Sequence, residues 1–334
     1  MKIAFDCHVP FSLAHGGAQI QIEQTQAALI RVGMDVQMFP WWDSASCPDL
    51  IHFFGKPPLS YARLVRQKKI RLVVADLLTS QGSRNAWQRL PFRVVCGMDR
   101  ILGGRLRNKL GWSVYDLADC CVCLTPWEAF LVRTMYGARN ARIEVVSNGV
   151  EKAFLEAKGN HSRMGHLVTT VTITARKRVV EMVRAAGLAK VKLRVIGRPY
   201  HAEDPYYRLF LNALQQAKPW VEYVGSIDDR SKLAEEYQQA AGFVLLSSME
   251  SQSLSALEAA ACGCPLLLSD LPWARSSFQS EASYVPIGSA KQTAVFLRKF
   301  SDQIVRAPKV KKIPSWDDVA QHLLEVYRWA MTSR

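Results

Sequence analysis

No apolar run in this 334-residue chain approaches the ~20 residues that a membrane-spanning helix needs. The opening "MKIAFDC" is too short and too mixed for a signal peptide, so the expectation is a cytosolic protein with no transmembrane anchor. No Gly-x-Gly-x-x-Gly follows any strand-like run, which argues against an NAD-dependent oxidoreductase. No recognised nucleic-acid-binding motif with interleaved aromatics is present, so nucleic acid is not an expected partner. Cys120 and Cys123 form a Cys-x-x-Cys, but no second pair completes a zinc spacing. The eight cysteines read instead as small buried thiols in a reducing compartment. Short-period repeats and low-complexity tracts are absent as well.

What is present is ordinary globular composition, 49% hydrophobic and 22% charged, with a formal net charge of +14. The length suggests two domains of roughly 150 residues each. Residues 1–150 hold 18 Lys and Arg against 11 Asp and Glu, so the two halves share the excess equally. Within the first half, residues 63–109 concentrate twelve basic residues against only Asp76 and Asp99. Such a patch suits an anionic membrane surface, a phosphate-bearing acceptor or nucleic acid; a solvated face that aids solubility is the plain alternative.

Two trains of alternating strands and helices run along the chain. The strands of the first are "MKIAF", "DVQMF", "LIHFF", "IRLVVA", "CCVCL" and "IEVVS"; those of the second are "LVTTVTI", "VKLRVIG", "VEYVGS", "GFVLLS" and "PLLLS". Short apolar strands separated by helices predict parallel sheets covered on both faces, here two Rossmann-like domains facing a central cleft. The polar stretch 147–165 marks the junction. The expected organisation is an N-terminal domain over 1–155, a C-terminal domain over 156–312 and a closing helical segment over 313–334.

The stretch "MESQSLSALEAAACGCP", 249–265, stands where a strand hands over to a helix. In open α/β sheets ligands bind beyond the carboxyl ends of strands, where helix N-termini offer free N–H groups. Backbone N–H groups near Ser253, Leu254 and Ser255 could hold a diphosphate. Glu258, read as lying in the first helical turn, could accept two hydrogen bonds from a ribose-like diol. Glu250, on the loop before, could reach the group beyond the phosphates. The competing reading is a helix capping box of Ser255 and Glu258. A second capping box is read at "TPWE", from Thr125 to Glu128, with no chemistry attached.

"ESQSLSALEAAACGCPLLLSD" resembles the paired-glutamate signature of family 4 glycosyltransferases, retaining enzymes of the GT-B fold. "HGGAQIQIEQTQAALIRVGMDVQMF", "DLADCCVCLTPWE", "RIEVVSNGV", "VKLRVIG" and "VEYVGSI" follow the family's order and spacing. The last helix, with Trp316 and Tyr327, looks like the one that crosses back onto the N-terminal domain. The resemblance implies an acceptor-binding N-terminal domain and a donor-binding C-terminal domain, with no cofactor and no metal. It implies that Glu258 holds the ribose of a nucleotide-sugar donor and Glu250 contacts its sugar. Lys177, in "TARKR", would neutralise the diphosphate leaving group, with Arg176, Arg178, Gly197 and Gly225 nearby. Gly16 and Gly17 would bring backbone N–H groups close to the phosphates and the acceptor, with Asp76 on the same side. Where the family often has a histidine before that aspartate, this sequence has Ala75; His15 or His52 could line the cleft instead, although a lone histidine more often has a core or surface role.

The sequence departs from the family at Thr172, where an arginine is usual, and at Ala75, where a histidine often precedes the aspartate. A degenerate GT-B protein that binds a sugar nucleotide or a partner without turnover is the alternative these two positions raise. The leading expectation is a retaining glycosyltransferase acting on a carbohydrate or lipid-linked acceptor in cell-envelope polysaccharide or glycolipid assembly. It would work in the cytoplasm, at the inner face of an anionic membrane.

Overall fold

The apolar runs become two six-stranded sheets, parallel throughout among the residues described by the computed structural model: 1–8, 11, 16–43, 47–101, 103, 105–138, 141–156 and 164–333. The first sheet contains β1 (Lys2–Cys7), β2 (Asp35–Met38), β3 (Leu50–Phe54), β4 (Arg71–Ala75), β5 (Cys120–Cys123) and β6 (Arg142–Val145), in the order β2-β1-β3-β4-β5-β6. The second contains β7 (Met164–Thr170), β8 (Leu193–Ile196), β9 (Val221–Gly225), β10 (Ala240–Leu245), β11 (Leu266–Ser269) and β12 (Ser283–Val285), in the order β12-β11-β10-β7-β8-β9. Every residue of β3, β5 and β11 is buried, as strands covered by helices on both faces require.

The chain divides into two compact units, one of residues 1–149 with 316–334 and one of 150–315. The sequence reading placed the junction at 155. Val150 and Phe154 already belong to the second unit's core, and the Val150 N–H bonds to the Pro314 carbonyl at 3.0 Å.

The helix Trp316–Thr332 packs against the helix Gly17–Arg31 and against β4. Trp316, Leu323 and Tyr327 are buried there, at about 2 kcal/mol for each large apolar side chain removed from water. The Arg31 guanidinium meets Asp317 at 2.6 Å, and Arg142 stacks over the Trp329 ring at 4.9 Å. The closing segment therefore belongs structurally to the first unit. The chain has the α/β GT-B architecture.

The connection from β7 to the helix Val179–Ala189 is a 3-10 turn, Ala175–Lys177, followed by Arg178 in the left-handed region at φ 53°. Thr125 caps the helix Pro126–Thr134 through the Glu128 N–H at 3.2 Å, while the Glu128 carboxylate accepts the N–H groups of Leu78 and Leu124. This buried carboxylate ties the ends of β4 and β5 together. Among the described residues no helix is long and apolar enough to cross a membrane.

Candidate active site

The second sheet reverses direction between β7 and β10, because β8 and β9 are added on one side of β7, and β10, β11 and β12 on the other. The loops leaving the carboxyl ends of β7 and β10 meet there, at the kind of place where open α/β sheets bind ligands. They carry the residues singled out by their chemistry. The Ser248 N–H donates to the Arg176 carbonyl at 2.9 Å, fastening one loop to the other. Lys177 Nζ lies 2.5 Å from Glu250 Oε1, and Arg176 Nη1 lies 3.1 Å from Glu250 Oε2. Arg176 also donates to the Met249 carbonyl at 2.6 Å. Seventy-three residues of sequence separate Lys177 from Glu250, and the switch in strand order closes that gap.

Glu250 is only 7% exposed. Burial alone would raise its carboxyl, but Lys177 and Arg176 outweigh burial and hold it below the usual carboxylate range. Burial also lowers the Lys177 ammonium, with Glu250 opposing that shift. Paired, the two stay charged inside the protein. Beside them the Ser251 hydroxyl is buried with no hydrogen-bond partner among the described residues. Ser253 caps the helix Leu254–Ala261, accepting the Ala256 N–H at 3.3 Å, and Ser255 Oγ lies 3.2 Å from Ser253 Oγ. The N–H groups of Leu254 and Ser255 thus open the helix with no intrahelical acceptor.

This cap corrects the sequence reading twice. Ser253, not Ser255, is the N-cap, so the competing reading of a Ser255–Glu258 capping box does not hold, and Glu258 falls in the second turn of the helix. Glu258 is 5% exposed and paired with the Arg230 guanidinium, with the Tyr237 hydroxyl at 3.4 Å. Burial raises the Glu258 carboxyl, with Arg230 opposing. For Arg230, burial is outweighed by Glu258 and by Glu151, whose Oε1 is 2.7 Å from Arg230 Nε. The Arg230 guanidinium also lies over the Phe154 ring at 4.7 Å. Arg230 and Glu151 escaped the sequence reading. The available signal was position, since Arg230 opens the helix that follows β9, the same kind of place as 253–255.

Arg178 turns elsewhere, donating to the Gly288 carbonyl at 2.5 Å, and does not join the pair around Glu250. Gly197 follows β8 at φ 140°, and its N–H bonds to the Gly225 carbonyl at 2.8 Å. A side chain at Gly197 would lie 1.8 Å from the Val171 carbonyl oxygen, so only glycine fits. Gly225 sits at φ 85° with open space beside it.

In the first unit, Gly16 is the N-cap of the helix Gly17–Arg31 at φ 141°, another position that favours glycine. His15 lies outside the described residues. Asp76 follows β4 and accepts a hydrogen bond from the Tyr115 hydroxyl. Burial holds its carboxyl above the usual range, against Tyr115, Lys56 and His8. Lys56 and His8 follow β3 and β1, the strands between which this sheet reverses; His8 Nε2 is 2.6 Å from the Lys56 carbonyl oxygen. Neither had been picked out in the sequence.

His52 corrects an expectation. It was a candidate for lining the cleft, with a core role as the commoner alternative, and it is 1% exposed in the middle of β3, stacked on Phe54 at 4.3 Å, with Nδ1 2.6 Å from the Tyr327 hydroxyl. It is a core side chain holding the closing helix. Among the described residues no group of three or more His, Cys, Asp or Glu could hold a metal ion.

Known proteins agree with this architecture. Residues 36–154 match the family model described as Glycosyltransferase Family 4, and residues 167–297 match that described as Glycosyl transferases group 1. Among solved structures, the sucrose-phosphate synthase of Thermosynechococcus elongatus is 19% identical with a TM-score of 0.70, over 98% of each chain. Anabaena Alr3699/HepE, in complex with UDP and glucose, is 13% identical with a TM-score of 0.66, over 98% of this chain and 99% of that one. A glycosyltransferase from Rickettsia africae is 10% identical with a TM-score of 0.67, over 100% of this chain and 99% of that one. No curated protein matches in sequence.

Proposed function

Since the chain belongs to the family 4, group 1 glycosyltransferases, we propose that it transfers a sugar, with retention, from a nucleoside-diphosphate donor to an acceptor hydroxyl. One observation carries this reading: Lys177, Arg176 and Glu250 converge at the switch point of the second sheet, against a helix N-terminus. The N–H groups of Leu254 and Ser255 suit phosphate oxygens. Lys177 and Arg176 supply positive charge where the departing diphosphate gains negative charge, which is the main demand of the step. Glu250 accepts hydrogen bonds from the sugar, with the unpartnered Ser251 hydroxyl beside it. Glu258, steadied by Arg230, takes the ribose. Thr172 leaves the cluster one arginine short of the family pattern, and Arg176, already 3.1 Å from Glu250, stands in for it. The complex of the Anabaena relative with UDP and glucose supports a nucleoside-diphosphate sugar as donor.

The first unit takes the acceptor, a carbohydrate or a lipid-linked carbohydrate, with Asp76, Lys56, His8 and the Gly16–Gly17 turn at the carboxyl edge of its sheet. The concentration of basic residues in 63–109 supports an acceptor held at an anionic membrane, as in assembly of envelope polysaccharide or glycolipid. No cofactor or metal is called for in this scheme. Proton NMR of a reaction with nucleotide sugars and a simple glycoside acceptor tests it. The product is expected to keep the donor's anomeric configuration; an inverted product would contradict the mechanism, and no consumption of any donor would contradict the activity.

A further inference from the structure

The helix Ala86–Ile101 is apolar on two faces, where a surface helix normally keeps its outer face polar. The side turned into the first unit carries Phe92, packed on Trp112 at 4.9 Å, Cys96, Asp99, 1% exposed, and Arg89, whose guanidinium lies over the Trp127 ring at 4.2 Å. The side turned to solvent carries Trp87, Leu90, Val94, Met98 and Ile101. Their intervals of three, four, four and three residues are those of a single helical stripe. Trp87 is 82% exposed and Ile101 86%. A contiguous apolar stripe facing water implies an occupant.

The surroundings say which one. Arg84 before the helix, Arg93 on it, and Arg105 and Lys109 on the short helix Arg105–Lys109 behind it are all exposed. Both acidic residues of 63–109 are engaged inside the unit. Asp99 accepts the N–H groups of Leu106 and Arg107 at 2.7 and 3.1 Å, and Asp76 takes the Tyr115 hydroxyl. The exposed ionised groups of this segment are therefore cations alone. A second copy of the chain would bring the same cations against one another across a two-fold contact. An apolar stripe edged by Arg and Lys matches instead a lipid surface with anionic headgroups.

We propose that the helix Ala86–Ile101 lies in the plane of an anionic membrane as an interfacial anchor. Trp87, Leu90, Val94, Met98 and Ile101 enter the acyl boundary, and Arg84, Arg93, Arg105 and Lys109 meet headgroup phosphates. The proposal rests on the proposed function only in making the partner a membrane. It places the acceptor-side unit on the surface where a lipid-linked acceptor would be found.

The test is co-sedimentation of the full chain with vesicles of phosphatidylcholine alone or mixed with phosphatidylglycerol. Binding is expected to be at least about tenfold stronger to the anionic vesicles and to weaken as salt is raised. The double variant Trp87→Ser, Met98→Ser should lose about tenfold on anionic vesicles, and Arg93→Glu, Arg105→Glu a similar factor. All four side chains are exposed, so the variants should melt with wild-type midpoints. Equal binding to both vesicles, or undiminished binding by the Trp87–Met98 variant, overturns the proposal. So does a lipid-free dimer that the same variant dissociates, which would give the stripe to a second copy. Nucleoside-diphosphate binding by the Trp87–Met98 variant is expected to match wild type. Vesicle binding without nucleotide binding would sink the donor reading and leave the anchor standing.

Discussion

Lys177→Ala is expected to cut turnover by about two to three orders of magnitude, the loss typical when one preorganised group that stabilises developing charge is removed. The reasoning starts from the unliganded pair. Lys177 Nζ is 2.5 Å from Glu250 Oε1, in a place where neither charge could stay without the other. An arriving diphosphate competes for that ammonium, and as the sugar–phosphate bond breaks the attraction grows. Lys177→Arg should not restore the rate, because a planar guanidinium cannot replace a compact ammonium in so confined a space. In the alanine variant Arg176 still faces Glu250 at 3.1 Å, so the protein should fold. Steady-state consumption of nucleotide sugar checks this, with kcat falling more than KM rises. A rate within a few-fold of wild type would remove Lys177 from the chemistry.

Acid should loosen the first unit through His52. Burial with no charged partner lowers this imidazole from 6.5 to about 3. Its Nε2 has no hydrogen-bond partner among the described residues, and its neighbours are the rings of Phe5, Phe54 and Tyr327. The unfolded chain therefore binds a proton between pH 6.5 and about 3 that the folded chain refuses. The stability His52 contributes is present above pH 6.5 and is lost as pH falls, by about 1.4 kcal/mol per pH unit and about 5 kcal/mol in all. His52→Phe keeps the stacking but loses the bond to Tyr327, so it should be the less stable protein at pH 7. The gap should narrow and then reverse towards pH 4. Denaturant melts at several pH values measure it; parallel curves for the two proteins would refute the assignment.

How much of this was legible in the sequence differs from residue to residue. The sheets were, because strands covered on both faces must be nearly all apolar, and "LIHFF", "CCVC" and "LLLS" admit little else. β12 was not, since the three residues "SYV" carry too short a pattern. His52 stayed open between cleft and core for the reason that made its strand visible. In a strand buried on both sides, alternation no longer tells which way a polar side chain points, and only the closing helix, 275 residues on, supplies Tyr327. The cap at 253 was ambiguous because Ser253 and Ser255 both satisfy the local rule, and the choice moves Glu258 by half a turn. Lys177 and Glu250 were each nameable from resemblance, but their pairing follows from strand order. Arg230 was missed because its partners Glu258 and Glu151 lie 28 and 79 residues away, and only its place at the start of a helix marked it. The outer stripe of the helix 86–101 was equally hidden: composition displayed its arginines, and only packing reveals that a second apolar stripe faces out.

The measurement that tests the account most directly is the thermal unfolding of the chain in millimolar UDP, GDP, ADP, dTDP or NAD. A ligand at a hundred times its dissociation constant stabilises the folded state by about 2.7 kcal/mol, which a melting curve resolves. The account predicts a rise with one nucleoside diphosphate, none with NAD, and loss of that rise in Lys177→Ala. Curves that coincide for every nucleotide would contradict a donor site at the junction of β7 and β10.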